Sequence, residues 1–321
     1  MEKKYGLNIV FYMKTYVQLK LNEEDSYEFK IDKYNFKLTK LKKSNTYSMM
    51  INPINNKEHA KSMMDKFKIA LLLFVLENNS AAIEINEEIS YVDIPDEPRY
   101  IEGFGLVSGS FNLNRTVMFP LIPNLFQISS FQIPLINSIN VENLIEPIKK
   151  TDKIDVDRII NDEKLLLALE IYSKLSQNPS KAQFLYLITI LEILKPKYSI
   201  SNESKKHLKG IKEYIKKIRD ESCEKNSEEY NTINRYLSSM KFWDEQSISK
   251  SLKLYIDENS EQFSDYKNLD TELKDAYVIR SKLIHGGIII NEKEFSEKYK
   301  FLKSFVKELL LNDINKYINE K

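Results

Sequence analysis

The stretch LDTELKDAYVIRSKLIHGG, residues 269–287, decides the fold of the second half of the chain. Strong helix formers and apolar residues recur in it with the 3.6-residue period of an α-helix. Gly286 and Gly287 follow His285, and glycine commonly ends a helix. We therefore predict a helix that ends at His285.

Outward from this helix, the same helical pattern of strong helix formers and apolar residues extends from about Val156 to the end of the chain. Prolines such as Pro179 and Pro196 mark its breaks. The helices predicted on this basis are Ile159–Leu175, Ala182–Leu194, a helix with Ile211, Tyr214, Ile215 and Ile218 on one stripe, Glu228–Met240, Ser247–Gln262, Leu269–His285 and Glu292–Tyr317. The second half is thus predicted to be all helical.

The first half combines several sequence patterns. β-rich stretches are followed by one helix and then by short apolar runs between turn residues. The elements predicted there are strands within Leu7–Leu19, Tyr27–Leu41 and Tyr47–Ile51, a helix at Glu58–Glu77, and strands and loops over Ile83–Ile148. The charged stretch 147–157 separates this mixed pattern from the helical pattern of the second half. We predict an α+β protein with a mixed β/α domain over 1–152 and a helical domain over 153–321.

The composition is that of a folded globular protein without a strong net charge. Of 321 residues 42% are hydrophobic, and 48 Lys or Arg face 47 Asp or Glu, which gives a formal charge of +1. Cys223 is the single cysteine, so an internal disulfide framework is excluded, and with three histidines it cannot complete a closed zinc site. No GxxxxGK[ST] phosphate loop is present. We predict no metal and no cofactor.

The sequence also predicts a protein that stays in the cytoplasm without entering a membrane. Lysines and polar residues interrupt the first 16 positions, unlike the apolar core of a signal peptide. The longest apolar run, Ile69–Leu76, has eight residues, whereas a membrane span needs about 18. This run is predicted to form the core of a helix.

Arg280 and His285 are the residues whose chemistry best suits catalysis. A histidine in the last turn of a helix meets the negative end of the helix dipole, which favours its protonated form and suits proton transfer. Arginine offers a permanent planar cation for a phosphate oxygen. Together they supply acid–base catalysis and charge stabilisation, which suffices for metal-free cleavage of RNA through its own 2′-hydroxyl.

The spacing of this pair predicts a dimer. Five residues along a helix correspond to roughly 140° of rotation and about 7.5 Å of rise, so the two side chains do not share one face. Two copies of the helix facing each other across a twofold axis would pool both pairs in one cleft. We therefore predict a homodimer with a composite site.

The run YVIRSKLIHGG, residues 277–287, resembles the signature of HEPN-domain ribonucleases, specifically the Apea-like group. The matching residues are Tyr277, Arg280, Ser281, Lys282, Leu283, Ile284, His285 and Gly286. The resemblance implies a helical bundle that dimerises, with Arg280 and His285 as catalytic residues and Ser281, Lys282 and Tyr277 in support. Tyr277 lies three residues before Arg280, on nearly the same face, and could contact a base or simply pack. It also implies products with a 2′,3′-cyclic phosphate and a 5′-hydroxyl, and a role in antiphage defence or toxin-like growth arrest.

A second match lies in FLYLITILEIL, residues 184–194, which is similar to an early helix of the same group with a glutamate between apolar residues. Glu192 is that glutamate. A carboxylate in an apolar stripe is costly unless it is paired, so we expect it to meet a cation or a hydroxyl. A partly exposed glutamate at the edge of the stripe is the alternative.

A basic segment bears on the substrate. Residues 195–219 contain nine Lys or Arg and two acids, a local charge of +7, with Tyr198 and Tyr214 among them. Such a surface can follow an RNA backbone and stack a base. The residues predicted to bind RNA are Lys205, Lys206, Lys209, Lys212 and Lys216. A solvated helix side neutralised by acids downstream is the alternative.

Two other readings of the whole chain stay open. The helical half could be a non-catalytic module that binds RNA, a nucleotide or a protein, with Arg280 and His285 kept for structure. It could also serve only for dimerisation, with activity in the first half. In the nuclease reading the N-terminal domain is a regulator that responds to a phage-derived or small-molecule trigger.

Overall fold

The computed structural model describes most of the chain. The residues described are 5–13, 17–21, 26–41, 46–78, 83–85, 87–91, 100–101, 106–107, 116–120, 137–196, 198–240, 248–259, 263, 266, 268–286 and 291–318.

Strands predominate in the first part of the chain and helices in the rest. The strands are β1 (Tyr5–Met13), β2 (Val17–Lys20), β3 (Ser26–Ile31), β4 (Tyr34–Lys40), β5 (Thr46–Ile54), β6 (Ile83–Ile85), β7 (Ile89–Tyr91), β8 (Tyr100–Ile101), β9 (Leu106–Val107), β10 (Thr116–Pro120) and β11 (Asn137–Asn140). The helices are α1 (Lys57–Asn78), α2 (Glu142–Thr151), α3 (Val156–Asn161), α4 (Glu163–Ser173), α5 (Ser180–Leu194), α6 (Asn202–Ser222), α7 (Glu228–Ser239), α8 (Ile248–Glu258), α9 (Leu269–His285) and α10 (Glu292–Asn315).

The strand β1 lies inside a seven-stranded sheet of order β3-β4-β5-β1-β10-β7, in which β6 also pairs with β1. The pairs made by β1 are antiparallel, and β7 joins β10 in parallel. The interior of β1 is buried from residue 6 to residue 11, which explains why its sequence is a near-continuous apolar run. Two smaller pairs, β2 with β11 and β8 with β9, complete the strands.

The helix α1 packs against this sheet and is buried along its second half. Phe67 of α1 meets the Phe11 ring edge-on at 5.6 Å, and Phe11 stacks on Tyr47 of β5 at 5.5 Å. Every residue of Ile69–Leu76 is buried, because α2, α3 and α4 also contact α1. The prediction that this run forms the core of a helix is confirmed.

The predicted α+β class is confirmed, since a mainly antiparallel sheet precedes a mainly helical region. Two helix predictions were wrong. The predicted helix Ile159–Leu175 is interrupted, because Asp162 closes α3 and its carboxylate accepts a hydrogen bond from the Leu165 N–H at 3.1 Å, which starts α4. The helix α2 was predicted as strand and loop; it contains Pro147, a residue that usually argues against a helix interior.

The structure forms two compact units. One comprises Met1–Leu187 with Phe305–Lys321, and the other comprises Ile188–Ser304. Within the first unit, α1 contacts α2, α3 and α4; within the second, α6 contacts α7 and α8 contacts α9. The domains 1–152 and 153–321 stay a prediction.

Candidate active site

The helix α9 carries most of the candidate residues and lies in the second unit. It spans Leu269–His285, as the sequence predicts. Its buried positions Leu273, Ala276 and Ile279 fall on one face, which fixes the rotation of the helix. The Gly286 N–H donates to the Lys282 carbonyl at 2.8 Å and closes the last turn.

Arg280 is half-buried and meets Glu192 of α5. Its Nη2 lies 3.5 Å from the Glu192 Oε1, and the two side chains are 38% and 30% exposed. Glu192 therefore meets a cation, as expected of a glutamate in an apolar stripe, and it is also partly exposed, as the alternative has it. A charge-assisted N–H···O bond is normally about 2.7–2.9 Å long, so this pair is loose and uses at most one of five guanidinium donors. Among the described residues no other acid pairs with Arg280, so its other donors have no carboxylate partner there.

Tyr277 lies one turn before Arg280 on α9. Its hydroxyl oxygen is buried and has no hydrogen-bond partner among the described residues. Burial raises the pKa of this hydroxyl well above its usual range, the Glu192 carboxylate raises it further, and the Arg280 guanidinium opposes them. The three residues thus form one electrostatic group, which we call the Arg280 cluster.

His285 occupies the exposed end of α9. Ser281, Lys282 and His285 are all exposed, and Lys282 and His285 place basic groups in the last helical turn. Within the described part of the chain His285 has no hydrogen bond or ion pair. Arg280 faces Glu192 while His285 faces solvent, so one copy of the chain does not bring the catalytic candidates to one face.

The predicted RNA-binding lysines lie on α6, which has no buried residue along its length. Lys206, Lys209 and Lys216 are exposed, and Lys205 and Lys212 are partly buried. Two acids of the same helix approach its lysines: Glu213 lies 3.9 Å from Lys209, and Glu221 lies 3.8 Å from Lys217. Tyr214 is 66% exposed beside them. Tyr198 instead donates a hydrogen bond to Glu258, so the structure ties it to α8.

Sequence reasoning missed a second charged cluster, in the first unit. The Lys68 ammonium lies 2.8 Å from both Glu87 and Glu170 and borders a cavity of about 270 Å³ that Asp65 also lines. Desolvation lowers the pKa of Lys68, but the hydrogen bonds and charges of the two glutamates outweigh it and raise the pKa overall. A lysine directly before the apolar run Ile69–Leu76 was the sequence signal.

No group of three or more His, Cys, Asp or Glu side chains in the described part of the chain has the arrangement of a metal site. None of the helices in that part of the chain has the length and apolarity of a membrane span.

Comparisons with known proteins add no relative. No protein-family model, curated protein or solved structure matches this chain.

Proposed function

We propose that this protein is a metal-independent endoribonuclease of the HEPN type, with Arg280 and His285 as its catalytic residues. The observation that carries the proposal is the Arg280 cluster. Tyr277 and Arg280 come from one sequence match to the HEPN pattern and Glu192 from the other, and the pair from α9 meets the glutamate from α5. Within the described part of the chain, Glu192 is also the one acid that pairs with Arg280, and it occupies at most one of the guanidinium donors.

The chemistry divides between the two catalytic residues. His285 takes the proton from the 2′-hydroxyl, whose oxygen attacks the adjacent phosphorus, and a histidine returns a proton to the departing 5′-oxygen. Arg280 stabilises the charge that grows on the phosphate oxygens. The P–O5′ bond breaks as the P–O2′ bond forms, which leaves a 2′,3′-cyclic phosphate and a 5′-hydroxyl. No metal or cofactor takes part in these steps.

The proposal includes a homodimer whose two α9 helices share one cleft. Arg280 and His285 lie on different faces of α9, and a second copy would bring a His285 toward each Arg280. Val278 and Ile284 of α9 are each about half exposed, and Val278 lies seven residues before His285, hence on nearly the same face of the helix, where another copy would bury it. Light scattering at micromolar concentration should give twice the monomer mass; a strict monomer would contradict the shared cleft.

The remaining parts of the proposal concern substrate and control. The α6 lysines hold the RNA backbone and Tyr214 stacks a base. The first half of the chain, which precedes the helices, receives a phage-derived or small-molecule trigger, and the protein acts in the cytoplasm in antiphage defence or growth arrest. The order of the two halves along the chain supports this role for the first half.

The exposed cationic side of α6 favours a second candidate function. A HEPN-type module that binds RNA without cutting it needs the α6 lysines and Tyr214 but not His285. In that case Arg280 and Glu192 would serve to hold α9 against α5.

One experiment separates the two candidates. Wild type, His285→Ala and Lys274→Ala are incubated with total cellular RNA in excess EDTA, and the cut ends are mapped chemically; Lys274 is an exposed residue of α9 outside the cluster. We expect wild type and Lys274→Ala to cleave and leave cyclic phosphates, and His285→Ala to be at least about 100-fold slower. RNA binding by wild type with no cleavage, both without and with an extract of phage-infected cells added as a source of the trigger, would contradict the nuclease and favour the binding module.

A further inference from the structure

The Tyr277 hydroxyl is an unused hydrogen-bond donor inside the second unit. Its oxygen is buried, and no described group accepts its proton. A buried polar group without a partner carries a desolvation cost, so such a group in a folded protein calls for a physical reason. The reason lies in its neighbours, because Tyr277 belongs to the Arg280 cluster.

Glu192 depends on Arg280 for its charge balance. The carboxylate is about two-thirds buried, and Arg280 is the one cation paired with it among the described residues. If Arg280 turns its guanidinium to a phosphate, Glu192 loses that cation while it stays largely out of water. A buried carboxylate left without a partner is costly and would oppose the turn.

Tyr277 can remove this opposition. It lies three residues before Arg280, hence on a neighbouring position of the same helix surface. A protonated tyrosine hydroxyl donates to a carboxylate, and this hydroxyl gives up no existing bond to do so. The burial of its oxygen also shields it from competing solvent.

We propose that Tyr277 is a positioning residue that exchanges partners with Arg280: when Arg280 leaves Glu192 for a substrate phosphate, the Tyr277 hydroxyl donates to Glu192. The inference rests on the proposed role of Arg280 in binding phosphate. It assigns Tyr277 an action on Glu192 and through it on Arg280, with no contact to the reacting atoms.

Tyr277→Phe tests the exchange, because it deletes the hydroxyl and keeps the ring. The probe is a mixed-sequence 2′-O-methyl oligoribonucleotide, which has phosphates but no free 2′-hydroxyl to attack, and its affinity is read by fluorescence anisotropy. In the free protein the hydroxyl is buried without a partner among the described residues, so its removal relieves a desolvation cost, and the melting temperature should stay the same or rise. In the bound protein Glu192 would lack its donor, so the affinity should fall about tenfold.

Two controls isolate the hydroxyl's action on Glu192. Ser251→Ala removes another buried hydroxyl without a partner, on α8, and should leave the affinity unchanged. In a Glu192→Gln background the side chain has no charge to rescue, so Tyr277→Phe should lose most of its tenfold effect. In cleavage assays Tyr277→Phe should raise KM and leave kcat near the wild-type value.

The outcomes distinguish this inference from the nuclease proposal. Unchanged affinity of Tyr277→Phe, or the same loss with and without Glu192, overturns the exchange while cleavage that requires His285 still stands. A lower melting temperature with unchanged affinity assigns Tyr277 a packing role and also overturns it. Wild type that does not bind the probe overturns the exchange together with the role of Arg280 in phosphate binding.

Discussion

Lys68 in the first unit and Arg280 in the second are both cations that meet glutamates, and they differ in how fully they are used. The Lys68 ammonium is 11% exposed and has two carboxylates at 2.8 Å. Arg280 is 38% exposed and has one carboxylate at 3.5 Å. We call a cation saturated when it is largely buried and two carboxylates bind it at hydrogen-bond distance; such a cation stabilises the fold. A half-exposed cation with one distant carboxylate can also bind a ligand. This difference makes Arg280, and not Lys68, the candidate for function.

The two cations also differ in what surrounds them. Lys68 lies on α1, whose following residues are buried against the sheet and three other helices. Lys298 of α10 is a second saturated cation, with Glu272 at 2.9 Å and Asp275 at 2.7 Å, and it clamps the early part of α9. Arg280 occupies the later part of the same helix. The helix α9 is therefore fixed at one end and presents its candidate residues at the other.

The largest effect on stability should come from Lys68→Ala. It would leave Glu87 and Glu170 facing each other without a cation, at a cost of about 2–3 kcal/mol; this is below the range for fully buried pairs because both carboxylates keep some solvent. Because the folded pKa of Lys68 is raised, its contribution is complete at neutral pH and disappears only above about 10.5.

Urea unfolding at pH 7 measures this cost. Lys66→Ala is the matched control, since Lys66 lies on the same helix with one partner, Asp152, at 2.9 Å and is 33% exposed. We expect the control to lose less than about 1 kcal/mol. If the two variants lost the same free energy of unfolding, Lys68 with two carboxylate partners would stabilise the fold no more than Lys66 with one.

A smaller effect of opposite sign should come from Asp65→Asn. Asp65 lines the cavity beside Lys68, and burial raises its pKa against the lowering effect of Lys61 and Lys68. The folded state therefore binds a proton more readily than the unfolded state, so ionised Asp65 destabilises the fold at neutral pH. The variant should gain up to about 0.5 kcal/mol at pH 7.

The gain should shrink as the pH falls toward 4, because protonation then relieves wild type as well. Urea midpoints at pH 7 and pH 4.5 check both parts. A loss of stability at pH 7 would mean that Lys68 is shared with Asp65 and is not saturated by the two glutamates.

Regular patterns made parts of this molecule predictable from sequence. The 3.6-residue period and the glycine stop gave α9 its observed bounds, and the apolar run Ile69–Leu76 gave the buried half of α1. The cost of a carboxylate among apolar residues predicted that Glu192 meets a cation. In each case one local physical rule dominated the outcome.

Other features depended on contacts distant in sequence. The sequence around Tyr277 does not predict that its hydroxyl is buried without a partner among the described residues. The sequence around Lys68 does not predict that Glu87 and Glu170 are its partners. The break at Asp162 was hidden because apolar residues continue on both sides of it. The helix α2 was hidden by Pro147, whose local preference is overridden where Leu144 and Ile148 are buried.

The most direct test of the central claim is a parallel measurement on Arg280→Ala of the free energy of unfolding and of the RNA cleavage rate. If Arg280 serves a ligand, removal of its loose and half-exposed pair with Glu192 should cost less than about 1 kcal/mol, because the Tyr277 hydroxyl can then donate to Glu192 in its place. The cleavage rate should fall at least about 100-fold, as expected for a lost transition-state donor. A loss of several kcal/mol in stability with wild-type cleavage would contradict the account, because Arg280 would then belong to the fold.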